Sequence, residues 1–508
     1  MKDFVEIKDE VENSLTNLLS FNERFYQQNF LQKCEQMADN SKMDIEISQG
    51  LKSREVNDEL EKRVQEIGLE IFEKSNKKSF AVFSKNFWSN KMMELSMKFP
   101  VFKVTLFRFV DVFPSLKTEQ DIARHIKEYF INSDILKSSL VRKVLSGFCD
   151  FKWGQTILAK AARKNIIDMG HIFIAGENAQ KALPKLETMW NQGYSATVDI
   201  LGEAVLTEAE ADDYALRYVQ MVEELSAQAK NWKEHNLLEF NELGKIPRVN
   251  ISVKLSALYS QIDPLSFNYS KDKIKIRLRP ILRRAMECGV FINLDMESTQ
   301  LKDITIDLAC EVFCEEEFKR YPYFGLVIQA YLTSAHVDIQ KVVDMAKNRT
   351  HPITVRLVKG AYWDTEVIKA QQQDWTCPVF TEKWQSDECY EQVAETMLDA
   401  YPYIQSSFAS HNVRTLSYVM AYAESKGLGK KAIEVQMLYG MATAFRNAVK
   451  GLGFRVREYV PVGEMVPGMA YLVRRLLENT ANEGFLKTTF NDQVDSKLLL
   501  KRPGAKKN

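Results

Sequence analysis

The chain has 508 residues, with 68 Lys plus Arg against 68 Asp plus Glu, 45% hydrophobic residues and 27% charged ones. That length accommodates a large barrel plus a smaller module, and the composition is that of ordinary globular proteins rather than of disordered or membrane-spanning chains. The charge balance leaves no global field to attract nucleic acid, so DNA or RNA binding is not expected and any phosphate contact must come from a local cluster.

The N-terminus, MKDFVEIKDEVENS, is acidic. It lacks the apolar run of a signal peptide and the Arg-rich, acid-poor character of a mitochondrial transit sequence, so the expected setting is cytoplasmic. No stretch reaches about eighteen uninterrupted apolar residues, which restricts membrane contact to a peripheral one. From about Val5 to Glu187 the sequence reads as almost wholly helical, with apolar residues at three- and four-residue spacing in segments such as Glu59 to Glu73. Residues 1–190 are therefore expected to form a helical arm and domain that serves as scaffold or oligomer contact, since amphipathic helices ordinarily bury their stripes against another element.

After Gly193 short β-branched runs alternate with amphipathic stretches, the pattern of βα units around a parallel sheet. Eight runs fit: SATVDILG from Ser195, VNISVKLSAL from Val249, VFINLDM from Val290, FGLVIQAYL from Phe324, ITVRLVKG from Ile353, SSFASHN from Ser406, AIEVQMLYG from Ala432 and FRVREYVPVG from Phe454. This predicts an α/β fold, a (βα)8 barrel of the TIM type over residues 191–490, preceded by the helical region and followed by a polar tail over 491–508. The tail, ending KRPGAKKN, leaves no space for a further catalytic domain within this sequence, so either a monofunctional enzyme or a fragment of a larger protein is expected.

Barrel chemistry sits at the C-terminal strand ends. Those ends carry Asp199, Glu203, Lys254, Asp295, Glu297, Gln329, Arg356, Lys359, His411, Asn412 and Tyr459, more polar groups than packing needs and suited to a large polar ligand. Arg356, between Val355 and Leu357, points into the barrel, where a guanidinium requires a partner. Gly360 allows either a phosphate cradle beside Lys359 or a plain tight turn. In AYLVRRLLENTAN, Tyr471, Arg474, Arg475 and Glu478 share one helical face, which suits a double guanidinium clamp on a carboxylate, although a surface Arg–Glu pair is the commoner meaning of such spacing. Seven scattered cysteines without a CxxC pair fit reduced thiols, and six histidines without HxH or HExxH spacing indicate no metal site.

Taken together, ISVKLSAL, NLDMES, VIQAYL, VRLVKGAYWD, FASHN, EVQMLYGM and YLVRRLLENTAN resemble, in order, the proline dehydrogenase domain of the bifunctional proline utilisation A proteins, from about Asp199 to Leu486. The resemblance implies an FAD-dependent oxidation of L-proline to Δ1-pyrroline-5-carboxylate, with hydride passing from C5 to flavin N5 and electrons on to a quinone. Around FAD it implies Gln329 and Arg356 at the isoalloxazine, Lys359, Gly360, Ala361, Tyr362 and Trp363 along the ribityl and phosphates, and Thr381, Lys383, His411 and Glu478 toward the adenosine. Around proline it implies Lys254, Arg474 and Arg475 on the carboxylate, Leu438, Tyr459 and Tyr471 around the ring, Asp295 supporting the pocket, and Glu203 pairing with Arg474 as a gate. The resemblance thereby implies Arg356, Lys254, Asp295 and Tyr459 as the catalytic group.

Ser410, Tyr439 and Ser298 depart from the family's threonine, histidine and second acid, which touches flavin tuning and the adenosine side. The implied partners are L-proline, a quinone, the inner face of a bacterial plasma membrane as a peripheral contact, and an aldehyde dehydrogenase domain or subunit that consumes the product. The competing readings are another flavin barrel oxidoreductase, such as a methylenetetrahydrofolate reductase, and a non-catalytic barrel scaffold or sensor. A DNA-binding regulator would need a basic N-terminal module, which the sequence does not show.

Overall fold

The computed structural model describes residues 50–52, 54, 57–78, 100–131, 146–202, 205–349, 351–464, 471 and 499–504. Its longer helices before the sheet are α1 (Asp58–Lys78), α2 (Pro100–Val112), α3 (Glu119–Ile126), α4 (Lys152–Phe173) and α5 (Ala179–Asn191). Strands and helices then alternate as β1 (Ser195–Ile200), α6 (Glu208–Ala229), β2 (Asn250–Val253), α7 (Phe267–Cys288), β3 (Phe291–Leu294), α8 (Thr299–Val312), β4 (Phe324–Gln329) and α9 (Ala335–Asn348). They continue as β5 (Ile353–Val358), α10 (Trp363–Gln373), α11 (Lys383–Asp399), β6 (Ile404–Ala409), α12 (Val413–Ser425), β7 (Ile433–Leu438), α13 (Thr443–Gly451) and β8 (Arg455–Val462). The eight strands pair in sequence order as a closed parallel barrel, with Ser195 of β1 in register with Arg457 of β8.

All eight sequence-derived runs overlap a strand, though the ends shift: β6 begins at Ile404, two residues before its run. The second stops at Val253, because the Glu297 carboxylate takes the Ser256 N–H at 3.1 Å and also its hydroxyl, drawing residues 255–257 into a helical turn outside the ladder. Helix α6 shows how the crossovers form: the Thr207 hydroxyl accepts the Glu210 N–H at 3.2 Å, and Ala211, Tyr218, Met221, Val222, Leu225 and Ala229 put one apolar face inward. Such a cap is worth about 1 kcal/mol, and each large apolar side chain buried about 1.5–3 kcal/mol, so packing rather than capping decides the fold.

Alternation along the strands separates two environments. Ile353, Val355 and Leu357 of β5, like Ile433, Val435 and Met437 of β7, belong to the main core shared with the surrounding helices. The intervening residues fill a polar barrel interior: near the N-terminal ends of the strands, a floor where Glu434 accepts Arg455 Nε at 2.8 Å and Arg457 Nε at 2.8 Å, and near the C-terminal ends the candidate site.

Helix α1 lies against α12 and α13, and its Val64, Ile67, Ile71 and Phe72 enter the main core. Arg414 of α12 bonds Glu61 of α1 at 2.8 Å and Glu391 of α11 at 2.9 Å, while Arg54 reaches Glu391 at 2.9 Å and Glu395 at 2.7 Å. The segment 499–504 joins this cluster, with the Leu500 carbonyl accepting from Gln65 at 2.8 Å and its side chain seated where Gly68 has no Cβ. Helices α2, α3 and α4 build a second core from Leu106, Phe109, Ile122, Ile166 and Phe173, to which the barrel contributes Met441.

Candidate active site

At the C-terminal mouth several strands carry a polar residue at, near or just past their ends: Asp199, Lys254, Asp295, Gln329 and Arg356 are all buried there. Asp295, just after β3, is the hub. It accepts bonds from Ser252 Oγ at 3.0 Å, Asn293 Nδ2 at 3.1 Å, Arg356 Nη1 at 2.7 Å and the Tyr459 hydroxyl at 2.7 Å. Lys254, just after β2, is ion-paired with Asp199 of β1, and its Nζ lies 3.5 Å from the Tyr459 hydroxyl. The Arg356 guanidinium also sits 5.4 Å from the centre of the Tyr459 ring. Two carboxylates and two cations thus neutralise one another in a space where each is at most 6% exposed, which is how buried charge is tolerated. Burial, followed by the charges of Asp199 and Asp295, pushes the Tyr459 phenol well above its ordinary range, so it stays a protonated donor.

Gln329 ends β4 and donates to the Glu297 carbonyl at 3.1 Å. Its Oε1, and the Nε of Arg356, are buried with no hydrogen-bond partner among the described residues. Buried polar atoms seldom stay unsatisfied, so these two mark a place for a ligand or water.

Beyond β5, Lys359 is ion-paired with Asp387 of α11, which also binds Lys383 Nζ at 2.7 Å. Burial lowers the Lys359 ammonium and the Asp387 charge opposes that shift. Burial would raise the Asp387 carboxyl, but Lys359 and Lys383 hold it below its ordinary value. Gly360 has φ +131°, and a Cβ there would lie on the Tyr331 ring. The tight approach is therefore real, and its partner is an aromatic ring. Gly360→Ala should cost about 1–3 kcal/mol through backbone strain and ring displacement, read as a lowered denaturation midpoint; an unchanged midpoint would refute the steric role.

Ala361, Trp363, Thr381 and Lys383 are exposed, and Tyr362 is half-buried; the Trp363 indole donates to the Phe380 carbonyl at 2.7 Å. His411 accepts the Leu438 N–H at Nε2, at 3.2 Å, which places a proton of the neutral ring on Nδ1. Leu438 and Tyr459 are register partners on β7 and β8, and Tyr471 packs with Leu438 against the second core. The helical region, expected only as scaffold or oligomer contact, thereby backs the wall formed by these residues. Glu203, Arg474, Arg475 and Glu478 lie outside the described residues. Sequence reasoning named Asp199 without a role and missed Ser252, Asn293 and Asp387; the i, i+4 spacing of Lys383 and Asp387 was the signal available for the last.

The chain matches the family model for proline dehydrogenase over residues 182–488 and that for the proline utilization A N-terminal domain over residues 61–173. The second match identifies a region in which no motif had been visible. Among curated relatives, the Bifunctional protein PutA of Escherichia coli is 31% identical over 342 residues, which cover 66% of this chain and 25% of that protein. The proline dehydrogenase of Deinococcus radiodurans is 26% identical over 325 residues, 64% of this chain and 91% of that protein. The crystal structure of proline utilization A from Bdellovibrio bacteriovorus, inactivated by N-propargylglycine, aligns with TM-score 0.79 and 44% identity. The alignment covers 88% of this chain and 44% of that one, so the chain spans less than half of these longer relatives. With a closed barrel, an inward Arg–Asp–Tyr cluster at its mouth and a family match across the whole of it, this chain belongs to the proline dehydrogenase family, of the proline utilization A type.

Proposed function

We propose that the chain oxidises L-proline to Δ1-pyrroline-5-carboxylate with FAD as resident cofactor, passing electrons to a quinone. The observation that carries this reading is the buried Lys254–Asp199 and Arg356–Asp295–Tyr459 cluster at the mouth of a barrel of this family. The unpartnered Arg356 Nε and Gln329 Oε1 fit a polar ring system placed above them. When bound, the flavin supplies the hydride acceptor, and the protein supplies position and electrostatics.

In this reading Arg356 and Gln329 face the isoalloxazine, with Arg356 stabilising negative charge that develops there. Lys359, Gly360, Ala361, Tyr362 and Trp363 follow the ribityl and phosphates, and Thr381, Lys383, His411 and Glu478 the adenosine. Lys254, Arg474 and Arg475 hold the proline carboxylate, Leu438, Tyr459 and Tyr471 enclose the ring, and Glu203 with Arg474 closes the site. Fixing the carboxylate orients C5, converting an encounter into a directed transfer. Asp295 positions both Arg356 and the Tyr459 hydroxyl through bonds of 2.7 Å.

The product then passes to an aldehyde dehydrogenase domain or subunit, in a bacterial cytoplasm with peripheral contact at the plasma membrane. No described helix is long and apolar enough to cross a membrane. Purified protein should absorb as an oxidised flavoprotein and bleach on anaerobic addition of L-proline but not of NADH. A colourless protein that cannot be reconstituted with FAD would overturn the reading.

A further inference from the structure

On the FAD reading just given, we infer that Asp387 is a positioning residue for the cofactor's phosphates: it holds the Lys359 ammonium, charged, where the phosphates arrive. Lys359 immediately follows β5 and Asp387 lies in the first turns of α11, so two rigid elements meet at this ion pair. The Asp387 side chain is 14% exposed and divides its oxygens, one toward Lys359 and the other toward Lys383 at 2.7 Å.

The two lysines are not equivalent. Lys383 is 79% exposed and hydrated, whereas Lys359 is 28% exposed and sits where desolvation disfavours the ammonium. Among the described residues, Asp387, Lys383 and, more weakly, Glu391 act on Lys359, and Glu391 is itself engaged by Arg54 and Arg414. Asp387 is thus the principal carboxylate sustaining its charge. Two lysines and one carboxylate leave one net positive charge, which suits a diphosphate.

The consequence is a matter of proton linkage. The ion pair with Asp387 favours the cationic form of Lys359 against desolvation, and to that extent the phosphates replace a counter-ion without proton uptake. With asparagine at this position, Lys359 becomes neutral at a lower pH, so binding of a phosphate must restore the missing proton. Above that pH, FAD affinity then falls about tenfold per pH unit. Wild type shows the same break, displaced upward by the Asp387 charge. An opposite charge in contact is worth about 1–3 pH units.

The test uses the full chain stripped of flavin, with FAD affinity followed by fluorescence from about pH 6 to about pH 9.5. Proton uptake is measured by calorimetry in buffers of differing ionisation enthalpy. Asp387→Asn should shift the break down by about 1–3 pH units and take up about one proton on binding above it. Asp387→Glu should restore the wild-type profile, and Lys359→Met should remove the break. Coincident profiles for wild type and Asp387→Asn would overturn the inference, as would persistence of the break in Lys359→Met should the asparagine variant not fold. Wild-type protein that takes up no FAD at any pH would instead overturn the cofactor reading, and this inference with it.

Discussion

Arg356→Met should lower kcat/KM for L-proline by about 100- to 1000-fold, the range found when one preorganised donor is removed from the place where charge develops. The guanidinium makes the 2.7 Å bond to Asp295, lies over the Tyr459 ring and keeps one nitrogen unpartnered for a ligand. Methionine fills the volume without the charge. Asp295 retains its bonds from Ser252, Asn293 and Tyr459, so the fold loses less than it would if the carboxylate were stranded. Steady-state kinetics expressed per bound flavin, alongside a thermal melt, separate the effects. Rates within a factor of about three of wild type would exclude Arg356 from the reaction, since typical loss of a positioned donor is far larger.

Glu434→Gln should be the more damaging change for stability, at about 3–5 kcal/mol, because it leaves Arg455 and Arg457 without their shared counter-charge in the barrel floor. The cavity there is lined by polar, uncharged groups such as Asn250, Gln405 and Ser406, and no other carboxylate lines it among the described residues. Burial disfavours the Glu434 carboxylate, but Arg457 and Arg455 reverse this and bring its pKa from 4.5 to about 2. A depressed acid contributes stability that is fully present above its unfolded value and lost as pH falls through the folded one. Wild type should therefore lose about 3 kcal/mol between about pH 4.5 and about pH 2 on account of this group. The glutamine variant should lack that component of the acid dependence. Denaturation midpoints across that pH interval decide the matter: parallel curves for the two proteins would remove Glu434 as the responsible group.

The barrel was legible because its outer strand faces are aliphatic and buried on a single period, as in Ile353, Val355 and Leu357. Arg356 stood out as a charge interrupting that run, and its inward position follows from alternation alone. Its partner Asp295 was visible only as a polar strand end; that the two meet depends on the register of β3, β4 and β5, which no local pattern encodes. The floor network was overlooked because barrel chemistry is sought at the opposite ends of the strands. Arg54 and Glu61 could not be matched with α11 and α12, since more than 300 residues separate the partners. The helical region was hardest: amphipathic spacing says that a helix buries a face, but not which core receives it, and Phe109 and Phe173 turn out to share theirs with Met441 and Leu438 of the barrel.

The pairing of β1 with β8 has a bearing on how the chain comes to be folded. Ser195 finds Arg457 and Ile200 finds Val462, so the first strand is synthesised long before its second neighbour exists. Gly176, just ahead of β1, also bridges to Val462, and the Ala175 N–H bonds the Pro461 carbonyl at 2.9 Å. Both the helical region's junction and the first strand thus wait on the same late residues. Until those residues leave the ribosome, β1 presents an unpaired parallel edge, the kind of edge that recruits other chains. High contact order makes the final closure slow. Yield during expression should consequently depend on chaperones and on low temperature more than the stability of the finished barrel would suggest.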